Sequence, residues 1–467
     1  MRKSTATFCI LFLLTQALLL PVSASCARFS ADAAPDLATL AAETETAYDG
    51  YLVALADGAE ESELDGDWEA VLPGVIRTDD LTFARSLLAD GAAEYVETND
   101  VVTLFDTETL PAQDGWVYEA TSAAYAQTLG LSGAGVRIAV IDSGVDMTNE
   151  DLRCADIEAG YDYLTDSART MCDTVGHGTQ VVQMIAADRN DRGGTGIARG
   201  ATVVPLRCFS TKSGQIADIV RAVYEAVDKY HCDIINMSWG FNGNSQTLHD
   251  AVRHACEQGC ILLAAAGNVS DSDPQGTVMY PAAYDEVIGV GAVTRTMEIA
   301  AFSQQTAAVS VCAPGEAVPV WYDGGEYVVN GTSFACPCAA AMLALAKERL
   351  PSLDGAGALA LARERAVDRG AAGYDTAYGY GTLNVRALLE RSWCYCRQEG
   401  SNTVLSGWLR PACQGVAALY EQSGRMAACA FLPQQEGSDG FSCAFPGVTG
   451  KLQYKLFCLD ADYCPAE

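Results

Sequence analysis

The stretch Val136-Arg-Ile-Ala-Val-Ile-Asp142-Ser-Gly144 constrains this chain more than any other. Apolar positions run almost unbroken into a carboxylate, then a serine and a glycine. A strand that is apolar on both faces must be covered on both faces, which is the condition of a parallel sheet between helix layers. Such sheets place their chemistry at the carboxyl ends of the strands, so this one delivers Asp142 to a functional edge. Similar runs at 202–206, 234–238, 261–266 and 287–292 predict further strands. Between them, Ile216, Ile219, Val220, Val223 and Val227 recur at helical steps, as do Leu248, Ala251, Val252 and Ala255. The alternation predicts an α/β domain over 111–390, a parallel sheet with helices on both faces.

The flanks differ. Residues 26–110 read as a small α+β unit. Tyr51-Leu-Val-Ala-Leu-Ala56 is strand-like and stops at Asp57-Gly58. Asp80 is placed to cap a helix through Leu88 that Gly91 ends. Ala93-Glu-Tyr-Val-Glu97 and Val101-Val-Thr-Leu-Phe105 are two more strand candidates. From 391 to 467 helical periodicity is lost and seven cysteines occur: Cys394, Cys396, Cys413, Cys429, Cys443, Cys458 and Cys464. That composition predicts a small, disulfide-stapled, β or irregular domain. Disulfides are favoured over metal ligation there because no histidine accompanies the cysteines.

The amino terminus reads as an export signal over 1–25. Arg2 and Lys3 precede thirteen residues rich in apolar side chains, 8–20, and Ser23-Ala24-Ser25 suits a signal peptidase. The stretch is too short to span a bilayer comfortably, and no second long apolar segment exists. Cys26 also permits lipid anchoring. Without Cys9 and Cys26, sixteen of the 18 cysteines remain, an even number that suits disulfides, with Cys154 to Cys172 the nearest local pair. In an oxygen-free organism buried thiols are the alternative. A net charge of −31 without a basic run argues against nucleic acid or an anionic membrane as partner.

Three segments carry candidate chemistry. Asp142 ends its strand. His177, in Gly176-His177-Gly178-Thr179, opens a helix continued by Val181, Val182 and Ile185. Ser333, in Gly331-Thr332-Ser333-Phe334-Ala335-Cys336-Pro337, opens another, with Pro337 expected in its first turn. A serine hydroxyl attacks only when a neighbouring base takes its proton, and a carboxylate on the far ring nitrogen fixes that base's tautomer. Separately, each has an ordinary explanation: strand-end cap, core histidine, helix cap. The order acid, histidine, serine, together with Ala264-Ala-Ala-Gly267-Asn268, makes coincidence improbable.

The three segments and the Gly-Asn turn resemble the subtilisin-like (subtilase) serine peptidases over about 270 residues of this chain. The resemblance implies Ser333 as nucleophile, His177 as general base, Asp142 as its orienting acid and Asn268 as oxyanion donor. Ile234-Ile-Asn-Met-Ser238-Trp239-Gly240 is similar to the family's substrate-lining segment, with Gly267 beside it. Tyr280-Pro281-Ala282 resembles another pocket-side segment, and Tyr380-Gly-Thr-Leu-Asn384 the closing turn. Asp151 and Asn190 match positions that bind calcium in many relatives, a structural ion with no part in catalysis. The amino-terminal unit resembles an inhibitory propeptide, cut away near 105–115.

Gln180, where His is common, and Phe334, where Met is common, depart from the pattern. So do Cys336 and Cys338 around Pro337. None is a reacting group. The expectation is a secreted, self-maturing, monomeric endopeptidase acting on peptides and proteins, with its own propeptide as inhibitor. The competing reading is a silent binding or adhesion protein on the same fold. An esterase is disfavoured because Ser333 lacks a Gly-x-Ser-x-Gly elbow.

Overall fold

The computed structural model describes residues 48–56, 59, 61–104, 107–110, 115–168, 172–190, 192–269, 276–409, 413–432, 440–449 and 452–459. The expected export signal, Cys9, Cys26 and Cys464 lie outside the described residues. In chain order the amino-terminal unit runs β1 (Tyr48–Leu55), β2 (Glu69–Leu72), β3 (Val75–Thr78), α1 (Leu81–Ala89) and β4 (Ala93–Leu104), followed by β5 (Thr107–Leu110). The central domain contributes β6 (Arg137–Asp142), β7 (Asp156–Ile157), β8 (Tyr161–Asp162), α2 (His177–Ala186), β9 (Thr202–Arg207), β10 (Ser213–Gln215) and α3 (Ile216–Asp228). It continues with β11 (Ile234–Met237), β12 (Trp239–Gly240), α4 (Gln246–Glu257), β13 (Ile261–Ala265), β14 (Val287–Val293) and β15 (Val311–Pro314). The hairpin β16 (Val318–Tyr322) and β17 (Gly325–Asn330) leads into α5 (Thr332–Arg349).

The central sheet has eight strands, in the order β15-β14-β13-β11-β6-β9-β7, with β8 also beside β9. Every pairing is parallel. Alternation along β6 divides the core as strand geometry requires: Ile138 and Val140 face one layer, Ala139 and Ile141 the other. The first layer is built by α2 and α5, the second by α3 and α4. Helix α5 is buried on nearly every side, so it crosses the middle of the domain rather than its surface.

The amino-terminal unit is antiparallel, β4-β1-β3-β2, with α1 packed on one face. Asp80 caps α1 as expected, accepting from the amides of Thr82 and Phe83. Two expectations are corrected here. The segments 93–97 and 101–105 are one strand, because successive parts of β4 find different partners. Its first part pairs with β1, and its last residues pair with β10 and β12 of the central domain. The β2–β3 hairpin was also not anticipated, although Pro73-Gly74 between its strands is a turn signal and Gly74 has φ +81°.

The carboxyl-terminal region is a pair of three-stranded antiparallel sheets. One is β18 (Trp393–Glu399), β19 (Asn402–Trp408) and β22 (Gly440–Pro446), with β19 central. The other is β20 (Gln414–Glu421), β21 (Met426–Leu432) and β23 (Leu452–Leu459), with β20 central. Leu405, Ala417, Leu419, Leu432 and Phe441 fill the core between them. Among the described cysteines of this region, Cys394, Cys396, Cys429 and Cys443 are free thiols rather than the expected disulfides. Register rules out one pairing, Cys396 with Cys443. Cys396 and Cys443 both lie opposite Leu405, on either side of β19. Two strand spacings, about 9–10 Å, exceed the roughly 7 Å that a disulfide can bridge. Cys154 and Cys172 are likewise separate, exposed thiols, and the Cys154 amide is tied to the Asp188 carboxylate instead.

Candidate active site

Strand β6 carries Asp142 to the sheet's carboxyl edge, and α2 begins with His177. His177 Nδ1 lies 2.8 Å and 3.0 Å from the two Asp142 carboxylate oxygens. Both side chains are buried, and Asp142 Oδ1 also accepts from the Ser143 amide at 2.7 Å. Gly178 makes this approach possible: a Cβ there would stand 2.2 Å from the Gly144 carbonyl oxygen. No side chain fits between the end of β6 and the start of α2.

Ser333 is the second residue of α5, which packs beside α2 with the Phe334 ring 5.5 Å from the His177 ring. Its hydroxyl donates to the Ser238 carbonyl at 2.8 Å, and its own carbonyl accepts from the Ser238 hydroxyl at 2.7 Å. Pro337 accounts for the second bond. It lies in the second turn of the helix, not the expected first, where a residue with an N–H would bond the carbonyl four positions earlier. That carbonyl belongs to Ser333, and Ser238, itself held by Asn236 Nδ2 at 2.9 Å, takes the place of the missing donor. Cys336 and Cys338 are buried packing residues, and burial pushes both thiols up, Cys338 to about 12.

Asn268 follows the end of β13. Its Oδ1 accepts from the Thr332 amide at 3.1 Å and the Thr332 hydroxyl at 3.0 Å. The same hydroxyl accepts from the Gly267 amide at 3.2 Å. This fixes the amide's orientation and leaves Nδ2 buried with no hydrogen-bond partner. A buried donor without a partner costs about 1–3 kcal/mol. Asn268 therefore holds an oriented, unpaired donor against Thr332, the residue before Ser333 in the chain.

Trp239 and Gly240 form β12, and both are hydrogen-bonded into the amino-terminal unit: Trp239 lies opposite Leu104 and Gly240 opposite Thr103. On the other side of β4, Val101, Val102 and Thr103 lie opposite Gln215, Gly214 and Ser213. The tail of the amino-terminal unit is thus a strand added between two short edge strands. Val102 and Leu104 point into the core with Phe209 and Trp239. After residue 106 the chain resumes as β5, where Thr107 lies opposite Asn330, three residues before Ser333.

Asp151 and Asn190 also meet: Asn190 Nδ2 donates to Asp151 Oδ1 at 2.9 Å. Asp151 Oδ2 is buried and has no hydrogen-bond partner. Gly193 backs this oxygen, and a Cβ there would stand 2.9 Å from it. Burial, aided by the neighbouring Asp188 charge, pushes Asp151 up to about 7. An orphan carboxylate oxygen in a glycine-walled niche fits a hard cation. Among the described residues no three His, Cys, Asp or Glu side chains are grouped closely enough to hold a metal by themselves. Main-chain and amide oxygens would have to complete the shell.

Sequence reasoning passed over Ser143, Asp173, Thr179 and Thr332. The signal was present for Asp173, an Asp just ahead of a helix start. Its reach back to Ser143 is a tertiary fact.

With this geometry in view, comparison with known proteins assigns the class. A model of the subtilase family matches residues 133–381, and the chain belongs to that family. Minor extracellular protease Epr of Bacillus subtilis (strain 168) is 35% identical over 328 residues, 68% of this chain and 50% of that protein. The chain therefore spans about half the length of Epr. Subtilisin DY of Bacillus licheniformis is 35% identical over 269 residues, 56% of this chain and 94% of that protein. The alkaline protease of Alkalihalobacillus alcalophilus is 32% identical over 304 residues, 65% of this chain and 75% of that protein. Family and relatives together support a serine-type endopeptidase. Among the described residues no helix is long and apolar enough to cross a membrane.

Proposed function

We propose that this protein is a secreted, self-maturing serine endopeptidase that cleaves peptide bonds through an acyl-enzyme on Ser333. The observation that carries the proposal is the buried Asp142–His177 contact at 2.8 Å. It holds Nδ1 of the ring as donor and turns Nε2 into the base. In the reaction the Ser333 hydroxyl gives up its bond to the Ser238 carbonyl and turns to that nitrogen. The proton passes to His177 as the oxygen attacks, and Asn268 Nδ2 donates to the oxyanion that forms. His177 then gives the proton to the leaving amine. Water repeats the sequence to release the acyl group.

Residues 1–25 serve as the export signal and the unit from 26 as an intramolecular inhibitor. The pairing of β4 with β10 and β12, and of β5 with β17, supports the reading of β4 as a substrate-like strand in the cleft. The first cut therefore falls between Leu104 and Thr107, at the early edge of the range expected from sequence. A calcium ion held by Asp151, with Asn190 bracing that carboxylate, fills a structural role, and the mature enzyme is monomeric.

The test expresses the precursor and its Ser333→Ala form, compares chain lengths and sequences the new amino terminus. Each is also treated with a serine-directed fluorophosphonate. Wild type shortens and labels, whereas the variant does neither. Two full-length, unlabelled proteins would return the chain to the reading of a silent binding protein.

A further inference from the structure

We infer that Asp173 is a positioning residue for catalysis, a carboxylate that clamps the Asp142 loop to the His177 helix and sets the base. This rests on His177 being the base, and the reason lies in how two segments 35 residues apart are held in register. His177 and Asp142 touch directly. Most of the remaining bonds between the two segments run through or next to Asp173. Its Oδ1 accepts the Ser143 hydroxyl at 2.9 Å, the Val175 amide at 2.9 Å and the Gly176 amide at 2.7 Å. Its Oδ2 accepts the Thr179 amide at 2.9 Å and the Thr179 hydroxyl at 2.6 Å. The Ser143 hydroxyl in turn accepts from the Gly178 amide, and Thr179 Oγ1 accepts from the Asp146 amide.

Five donors converge on one side chain. An ionised carboxylate is the group that can accept them all, since an amide would turn an NH2 toward donors. Ser143 is the joint: its amide donates to Asp142 and its hydroxyl to Asp173. Any drift of Asp173 is thus passed to the carboxylate that orients the imidazole. The clamp is backed by Arg207, which donates to the Ser143 carbonyl and the Thr174 hydroxyl and pairs with Asp162 at 2.7 Å. Among the described residues, the charged or titratable groups around His177 and Asp173 include Asp142 and Asp146 near the end of β6, Cys172 beside Asp173, Tyr322 and Asp323 on the β16–β17 hairpin, and Arg207 on β9. An extra negative charge four residues before His177 favours the imidazolium that forms during attack.

The test uses Asp173→Asn, Ser143→Ala and the double variant, matured from the full precursor and counted by active-site titration. On a peptide p-nitroanilide, D173N loses about tenfold to a hundredfold in kcat, the scale of a displacement near 1 Å. KM stays within about twofold, since neither group reaches the substrate strand. Loss of the negative charge also moves the acid limb of the kcat/KM profile to lower pH. The double variant loses less than the product of the single losses, because one bridge is cut twice. Unchanged kcat with an unshifted acid limb in D173N overturns the inference, as does a loss confined to KM. Should D173N fail to accumulate, S143A alone decides: a well-folded S143A with wild-type kcat sinks the clamp. Failure of the underlying reading is distinguishable, for then wild type itself neither labels nor turns over.

Discussion

The amino-terminal unit and the central domain meet along β4, with Leu52 and Val71 also entering the central core, but they are built on opposite terms. The central domain has two deep layers of core, and its parallel sheet is sealed on both faces by helices. Among the described residues, the amino-terminal unit has six buried apolar residues in its own core: Val53, Ile76, Ala84, Leu87, Ala93 and Val96. So small a core supplies little stability by itself. The unit makes up the difference at the interface. Glu97 accepts from the Ser245 hydroxyl and from the amides of Gln246 and Thr247, capping α4 from outside the domain. Asn99 does the same for α3 through the Ala217 amide. Charge works against the contact. Residues 26–110 hold 20 acidic and 3 basic side chains, and residues 111–390 hold 33 and 18. The unit is held by main-chain pairing and helix caps against like-charge repulsion.

The contrast yields graded predictions. The largest effect belongs to the central domain: Asn268→Leu should lower kcat by about 10²–10³-fold with KM little changed, measured on a peptide substrate. A deficit in KM alone would remove Asn268 from the oxyanion role. Next comes the interface. Glu97→Ala in a separately added amino-terminal unit should weaken inhibition of the mature enzyme by roughly 10–100-fold, the worth of charged hydrogen bonds at a buried site. A Ki equal to wild type would mean that β4 pairing alone holds the unit.

Ionic strength gives a smaller effect of unusual sign. Raising salt from about 0.01 to 0.15 M shortens the screening length from about 30 to 8 Å. The inhibitor should therefore bind a few-fold tighter, and weakening with salt would contradict the like-charge account. The smallest effect concerns Asp151. Its native pKa, about 7, lies above the ordinary aspartate value of 3.8. The stability it contributes is complete below pH 4 and is lost as pH rises through 7. Without calcium, Tm should fall across that window. Added calcium should raise Tm most above pH 7, and Asp151→Asn should abolish both responses. A calcium response that survives in the variant would place the ion elsewhere.

Much of the central domain was legible in the chain because its signals are local and strong. The five strands read from apolar runs are present to within a residue or two at each end, and both helices read from periodicity formed. Asp142 and His177 could be singled out because a strand-end acid and a glycine-flanked histidine at a helix start are unusual. The amino-terminal unit was less legible. The continuity of β4 depends on partners more than a hundred residues away, and residues 98–100 give no strand signal of their own. The cysteine pairing was not legible for a related reason. An even count says nothing about which strands intervene, and β19 stands between Cys396 and Cys443.

By itself the sequence determined the sheet, its helices and the chemical identity of the reacting groups, because hydrophobic periodicity and side-chain type are properties of short segments. The fold alone decided that Ser238 takes up the bond Pro337 cannot make, that Asn268 keeps a buried donor free, and that Asp173 joins two catalytic segments. It also decided that β4 lies between β10 and β12. Each of these depends on distances between residues far apart in the chain, which close only when the two core layers pack around the sheet.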